Sequence, residues 1–82
     1  MYMHKLITWD EVTNKKLIRK LGICFEDVLM AIEKGNIVDI LLPDNSRKNS
    51  EKIILVKINN KKYLVPYTDI GKKEFKTIIF IN

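Results

Sequence analysis

The chain carries one cysteine, one histidine, one alanine, three glycines, two prolines and no long apolar run. Each scarcity closes off a class of function. Cys24 alone cannot form an internal disulfide, which fits a reducing compartment, and its isolation suits a small buried hydrophobe better than a metal ligand. The single imidazole, His4, lies in a terminal segment, where an incidental side chain is a simpler reading than a general acid–base. Nothing resembles a Gly-rich phosphate loop, a metal-ligand cluster, or a Ser/His/Asp or Cys/His arrangement. No segment approaches the roughly 20 apolar residues that cross a bilayer. Met1-Tyr2-Met3-His4-Lys5 lacks the apolar stretch of a signal peptide. The expectation is a cytoplasmic protein with no cofactor, no metal and no membrane partner.

What is present fits one small domain spanning 1–82, near the lower limit for a single unaided apolar core. A hydrophobic content of 46% is globular, and 30% charged is ordinary. The net charge of +5 and pI near 9.4 invite an anionic partner. Lysine, isoleucine and asparagine are abundant and arginine is confined to Arg19 and Arg47, the bias an AT-rich genome imposes. Charge by itself therefore does not decide for nucleic acid.

Patterning predicts a short strand over Leu6–Trp9, then a helix capped by Asp10 and closed by Gly22. Leu17, Ile18 and Leu21 form its apolar stripe, and Val12 falls off it. Phe25, Val28, Leu29 and Ile32 stand at i, i+3, i+4, i+7, predicting a second helix that Gly35 stops. After Asn36 the period becomes two. Val38, Ile40 and Leu42 would share one face of a strand over Ile37–Leu42, with Asp39 on the other. A polar loop from Pro43 to Ser50 follows. Strands over Lys52–Ile58 and Lys61–Tyr67 would be joined by an Asn59-Asn60 turn, and Thr68–Lys73 would turn into a last strand, Phe75–Ile81. Pro66 belongs at a strand end, an edge or a bulge. The predicted class is α+β: a short N-terminal strand, then two consecutive helices packed on one face of a mainly antiparallel sheet.

An Asn59-Asn60 turn places Lys57 opposite Lys62, pointing the same way. Like charges facing across a ladder are destabilising, so a phosphate or acidic partner over the pair would explain it; ammonium groups splaying into water explain it too. Lys61 would share the other face with Tyr63 and Tyr67, which could stack bases or simply pack. Lys72, Lys73 and Lys76 gather around the second turn, and Arg47-Lys48 lies in the long loop, together a candidate phosphate rim or a solvated surface. A metal-free ribonuclease can work by positioning a 2′-hydroxyl and stabilising the phosphorane with cations. On that reading Lys57, Lys62, Lys76 and Tyr67 are the catalytic candidates, and Arg47, Lys48, Lys61, Lys72 and Lys73 the RNA contacts.

Trp9-Asp10-Glu11 with Asn14, Lys20-x-Gly22 and Phe25-Glu26-Asp27-Val28, and later Leu64-Val65-Pro66-Tyr67 and Lys76-Thr77-Ile78-Ile79, make the chain resemble the BrnT-type toxins of the RelE/ParE-like superfamily. The resemblance implies a RelE-like fold and a metal-independent endoribonuclease that inhibits translation by cutting mRNA. It also implies an acidic or amphipathic antitoxin that wraps and neutralises the chain, with DNA engaged only through that antitoxin. The chain departs from the family pattern at Leu21, where histidine is common, at Cys24, which replaces a serine cap, and after Ile79, where Phe80-Ile81-Asn82 stand in place of a Ser/Arg-containing basic segment. The alternative is a non-catalytic module of the same fold that binds antitoxin or nucleic acid. An apolar last strand would also allow a homodimer by edge pairing.

Overall fold

The computed structural model describes residues 7–41, 51–69 and 71–81. After β1 (Ile7–Thr8), Asp10 takes extended backbone angles, and its carboxylate accepts from the Thr13 backbone N–H at 3.2 Å and the Thr13 hydroxyl at 2.9 Å. That satisfies a donor left free by the first turn of α1 (Glu11–Leu21). Gly22, at φ 79°, ends the helix in the left-handed conformation and donates its N–H to the Ile18 carbonyl at 2.9 Å. The inward line of α1 is Asn14 and Leu17, with Leu21 half-buried. Ile18, expected on that stripe, is 50% exposed, because the face is centred on the 14–17–21 diagonal. Val12 lies off it, as expected.

Helix α2 (Phe25–Glu33) buries Phe25, Val28 and Ala31, with Leu29 and Ile32 at the margin. Its N-cap is Cys24, whose backbone N–H donates to the Asp27 carboxylate at 2.9 Å and whose thiol donates to the same oxygen at 3.5 Å. The next amide, that of Phe25, donates to Asn14 Oδ1 at 2.7 Å, and Asn14 Nδ2 donates to Glu26 Oε1 at 2.9 Å. Asn14 is 3% exposed. One buried amide thus closes the start of α2 from the side of α1 and sets how the two helices meet.

The sheet runs β1-β5-β4-β3-β2, with β6 also on β4. Its strands after β1 are β2 (Ile37–Leu41), β3 (Glu51–Ile58), β4 (Lys61–Asp69), β5 (Lys73–Phe75) and β6 (Ile79–Ile81). Only the β1–β5 pairing is parallel among those described. The α+β class, with two consecutive helices against a mainly antiparallel sheet, is what the patterning predicted. Ile54, Val56, Tyr63, Val65, Tyr67, Phe75 and Ile78 form the sheet's contribution to the core, against Leu17, Ile23, Phe25, Val28 and Ala31. At its centre Trp9 lies parallel to Phe75, with centroids 6.1 Å apart, and Phe25 and Tyr67 pack on the same ring.

Three strand details differ from expectation. A bulge between Ile37 and Asp39 puts Ile37 and Ile40 opposite buried Val56 and Ile54, while Asp39 and Leu41 share the other face; Val38 therefore does not sit with Ile40. Leu42 and the 43–50 loop lie outside the described residues. β4 continues through Thr68 and Asp69, which the sequence had suggested for the turn. The final strand is also broken. Between Leu64↔Ile79 and Tyr67↔Phe75 there are three steps along β4 but four along its partner. Pro66 faces that interruption: its carbonyl accepts from Lys76 N–H at 2.9 Å, and on that side it has no N–H to offer in return.

Candidate functional site

The β3–β4 hairpin is closed by Asn59 and Asn60, at φ 55° and 67°, the two left-handed residues a type I′ turn requires. This geometry fixes Lys57 directly opposite Lys62. Alternation from buried Val56 and Tyr63 places both lysines on the face away from the helices, and both are exposed. Lys61 lies at the same end of the sheet on the helix side, opposite Ile58. Lys34, which sequence reasoning assigned only to the helix dipole, belongs here too. It lines an open cleft of about 330 Å³ with Asp27, Asn36, Lys57 and Asn59. Among the described residues, no carboxylate forms an ion pair with Lys57, Lys61 or Lys62.

Tyr67 and Lys76 are elsewhere. Tyr67 is 5% exposed, on the helix side, five residues along β4 from Lys62, or about 16 Å of strand. Burial, and secondarily the charge of Asp69, push its phenol pKa up, so near neutral pH it is a donor and not a base. Tyr67 and Lys76 share a shallow depression of about 140 Å³ with Glu51, Lys52 and Thr68. Lys76 Nζ donates to Glu74 at 3.3 Å. Lys73 and Lys52 both approach Asp69, at 4.0 and 3.6 Å, and Lys72 is exposed on the turn beside Gly71. Arg47, Lys48 and His4 lie outside the described residues.

The four catalytic candidates therefore form two pairs, not a quartet. Lys57 and Lys62 occupy the hairpin end, and Tyr67 and Lys76 the far end, where Glu51, Asp69 and Glu74 interleave with the lysines. The hairpin end is the stronger anion attractor: four lysines accompany one carboxylate, Asp27. Such an array can hold phosphates, and the one carboxylate in it, Asp27, is engaged in capping α2, accepting from the Cys24 backbone N–H at 2.9 Å. The Cys24 thiol is no substitute as a base, because burial, as the largest influence, pushes its pKa up. Among the described residues no three metal-ligating side chains converge, and no helix is long and apolar enough to cross a membrane. Comparison with protein-family models, curated proteins and solved structures returns no match.

Proposed function

We propose that the chain is a toxin-type domain whose hairpin lysines bind the phosphate backbone of RNA, with an acidic antitoxin competing for the same end. The observation that carries this is the Lys57–Lys62 pair, held opposite each other on an exposed face with no ion-pairing carboxylate among the described residues. The repulsion it stores is relieved by an anion lying across both ammonium groups. The separation of Tyr67 and Lys76 from that pair favours binding without cleavage over the ribonuclease reading. The family and its antitoxin are supplied by the resemblance in Trp9-Asp10-Glu11, Phe25-Glu26-Asp27-Val28 and Leu64-Val65-Pro66-Tyr67.

The test is binding of a fluorescent single-stranded RNA across a salt series, with the same RNA resolved on a gel for cleavage. Replacing both Lys57 and Lys62 by alanine should weaken binding about tenfold at low salt and flatten the log K against log salt slope by about 1.4. Lys76→Ala should change it little, and the RNA should remain intact. Undiminished binding by the double variant refutes the assignment. Cleavage that Tyr67→Phe abolishes would restore the ribonuclease reading.

A further inference from the structure

The centre of β3 reads Ile53-Ile54-Leu55-Val56, and that of β4 Tyr63-Leu64-Val65-Pro66-Tyr67. Continuous apolar runs of this kind belong to strands covered on both faces, whereas a strand with one solvated face alternates. Here the helices cover one face only. The register lays the other out in rows across the sheet. Thr8, Glu74, Thr68 and Glu51 form the first row, and Pro66, Ile53 and Leu41 the second. Ile79, Leu64, Leu55 and Asp39 form the third, and Ile81, Lys62 and Lys57 the fourth. An apolar band is thus bounded at one end of the strands by Glu51 and by Glu74, which pairs with Lys76 at 3.3 Å, and at the other by the Lys57 and Lys62 ammonium groups. No described element lies over it.

We propose that this face docks against the same face of a second copy, with the strands of the two copies running in opposite directions. A two-fold axis lying in the interface, perpendicular to the strands, sets Leu55 and Leu64 of one copy on the apolar band of the other. It brings Lys57 over Glu51 of the second copy, and Lys62 over Thr68 beside Glu74, with the reverse contacts at the other end. The opposite choice, an axis along the strands, would set Lys57 on Lys57 and Glu51 on Glu51. The charge order selects the first arrangement. With its charged rows included the face is about 20 Å long and 19 Å wide from strand rise and spacing, so a pair buries about 760 Å² in total, the size of a weak, transient interface in which charge pairing counts as much as apolar area. Weak association, appearing below about 1 mM protein and sensitive to salt, is expected. The inference does not depend on RNA binding, but Lys57 and Lys62 serve both, so dimer and RNA exclude each other.

Sedimentation equilibrium without RNA tests it by charge exchange. Lys57→Glu and Glu51→Lys, each alone, should weaken self-association about tenfold, since each turns two attractive contacts per dimer into repulsive ones. Mixed in equal amounts, the two variants should recover it, because each exchanged charge then meets its opposite. Both positions are exposed, and amide spectra check that the fold is kept. A wild-type protein that stays monomeric to about 1 mM overturns the proposal. So does a dimer that neither substitution weakens, as edge pairing through Ile79–Ile81 would give, or a mixture that fails to recover. Failure of RNA binding would leave this result untouched, because Glu51→Lys retains Lys57 and Lys62.

Discussion

The two faces of the β3–β4 hairpin are made by alternate residues of the same strands, and they differ in almost nothing but what covers them. On one, Ile54, Val56, Tyr63, Val65 and Tyr67 are buried beneath the helices. On the other, Ile53, Leu55, Leu64 and Pro66 are only half-buried, and the row ends in Lys57 and Lys62. Apolar side chains in the middle of a strand therefore do not identify the core face. The aromatic rings that meet it do, since Lys52 and Lys61 end the covered face as Lys57 and Lys62 end the other.

Substitution on the covered face should produce the largest effect. Phe75 is 2% exposed and touches Trp9, Phe25 and Tyr67, so Phe75→Ala leaves a hole bordered by Trp9, α2 and β4. A loss of about 3–5 kcal/mol in a urea unfolding measurement is expected. A loss below about 1 kcal/mol would place the stabilising contacts elsewhere.

The helix junction comes next. Asn14→Ala strips a partner from the Phe25 N–H and from Glu26, at an expected cost of about 1–3 kcal/mol near pH 7. Part of that difference should depend on pH. The Asn14 amide, the largest influence, holds the folded Glu26 pKa below its ordinary value of 4.5. The associated stability is fully present above 4.5 and is lost as pH falls through the depressed folded pKa. The gap between wild type and Asn14→Ala should consequently narrow in acid while the Phe25 contribution persists. A gap that widens in acid would contradict the assigned partner.

On the open face the sign reverses. Lys62→Thr removes a like-charge contact with Lys57 and adds a β-branched residue, and should stabilise the monomer by about 0.2–1 kcal/mol, measured in dilute low-salt buffer. Destabilisation would mean that the pair already finds a counter-charge within the chain.

These contrasts mark how far the sequence could be read. The caps of α1, the Asn59-Asn60 turn and the order of elements all depend on neighbours within a few residues, and they were legible. The bulge after Ile37 and the break opposite Pro66 were less so, because the extra residue shows only when a partner strand is counted alongside. At the candidate site, the opposition of Lys57 and Lys62 followed from the turn. The separation of Tyr67 and Lys76 from them was legible as well, since Tyr67 stands five residues beyond Lys62 in the predicted strand and Lys76 follows the second turn. The pairing of Asp69 and Glu74 with the lysines there was not, because it depends on side chains from three strands.

By itself the sequence determined the helix boundaries, the hairpin and its facing lysines, because backbone angles and side-chain alternation are set locally. Only the tertiary structure decided which side of an evenly apolar sheet became the core. It also decided that Asn14 would join the helices across the chain and that carboxylates would pair with the lysines at one end of the sheet. Those outcomes arise from packing between segments distant in sequence, where burial of Trp9, Phe25 and Phe75 together outweighs any preference a single strand carries.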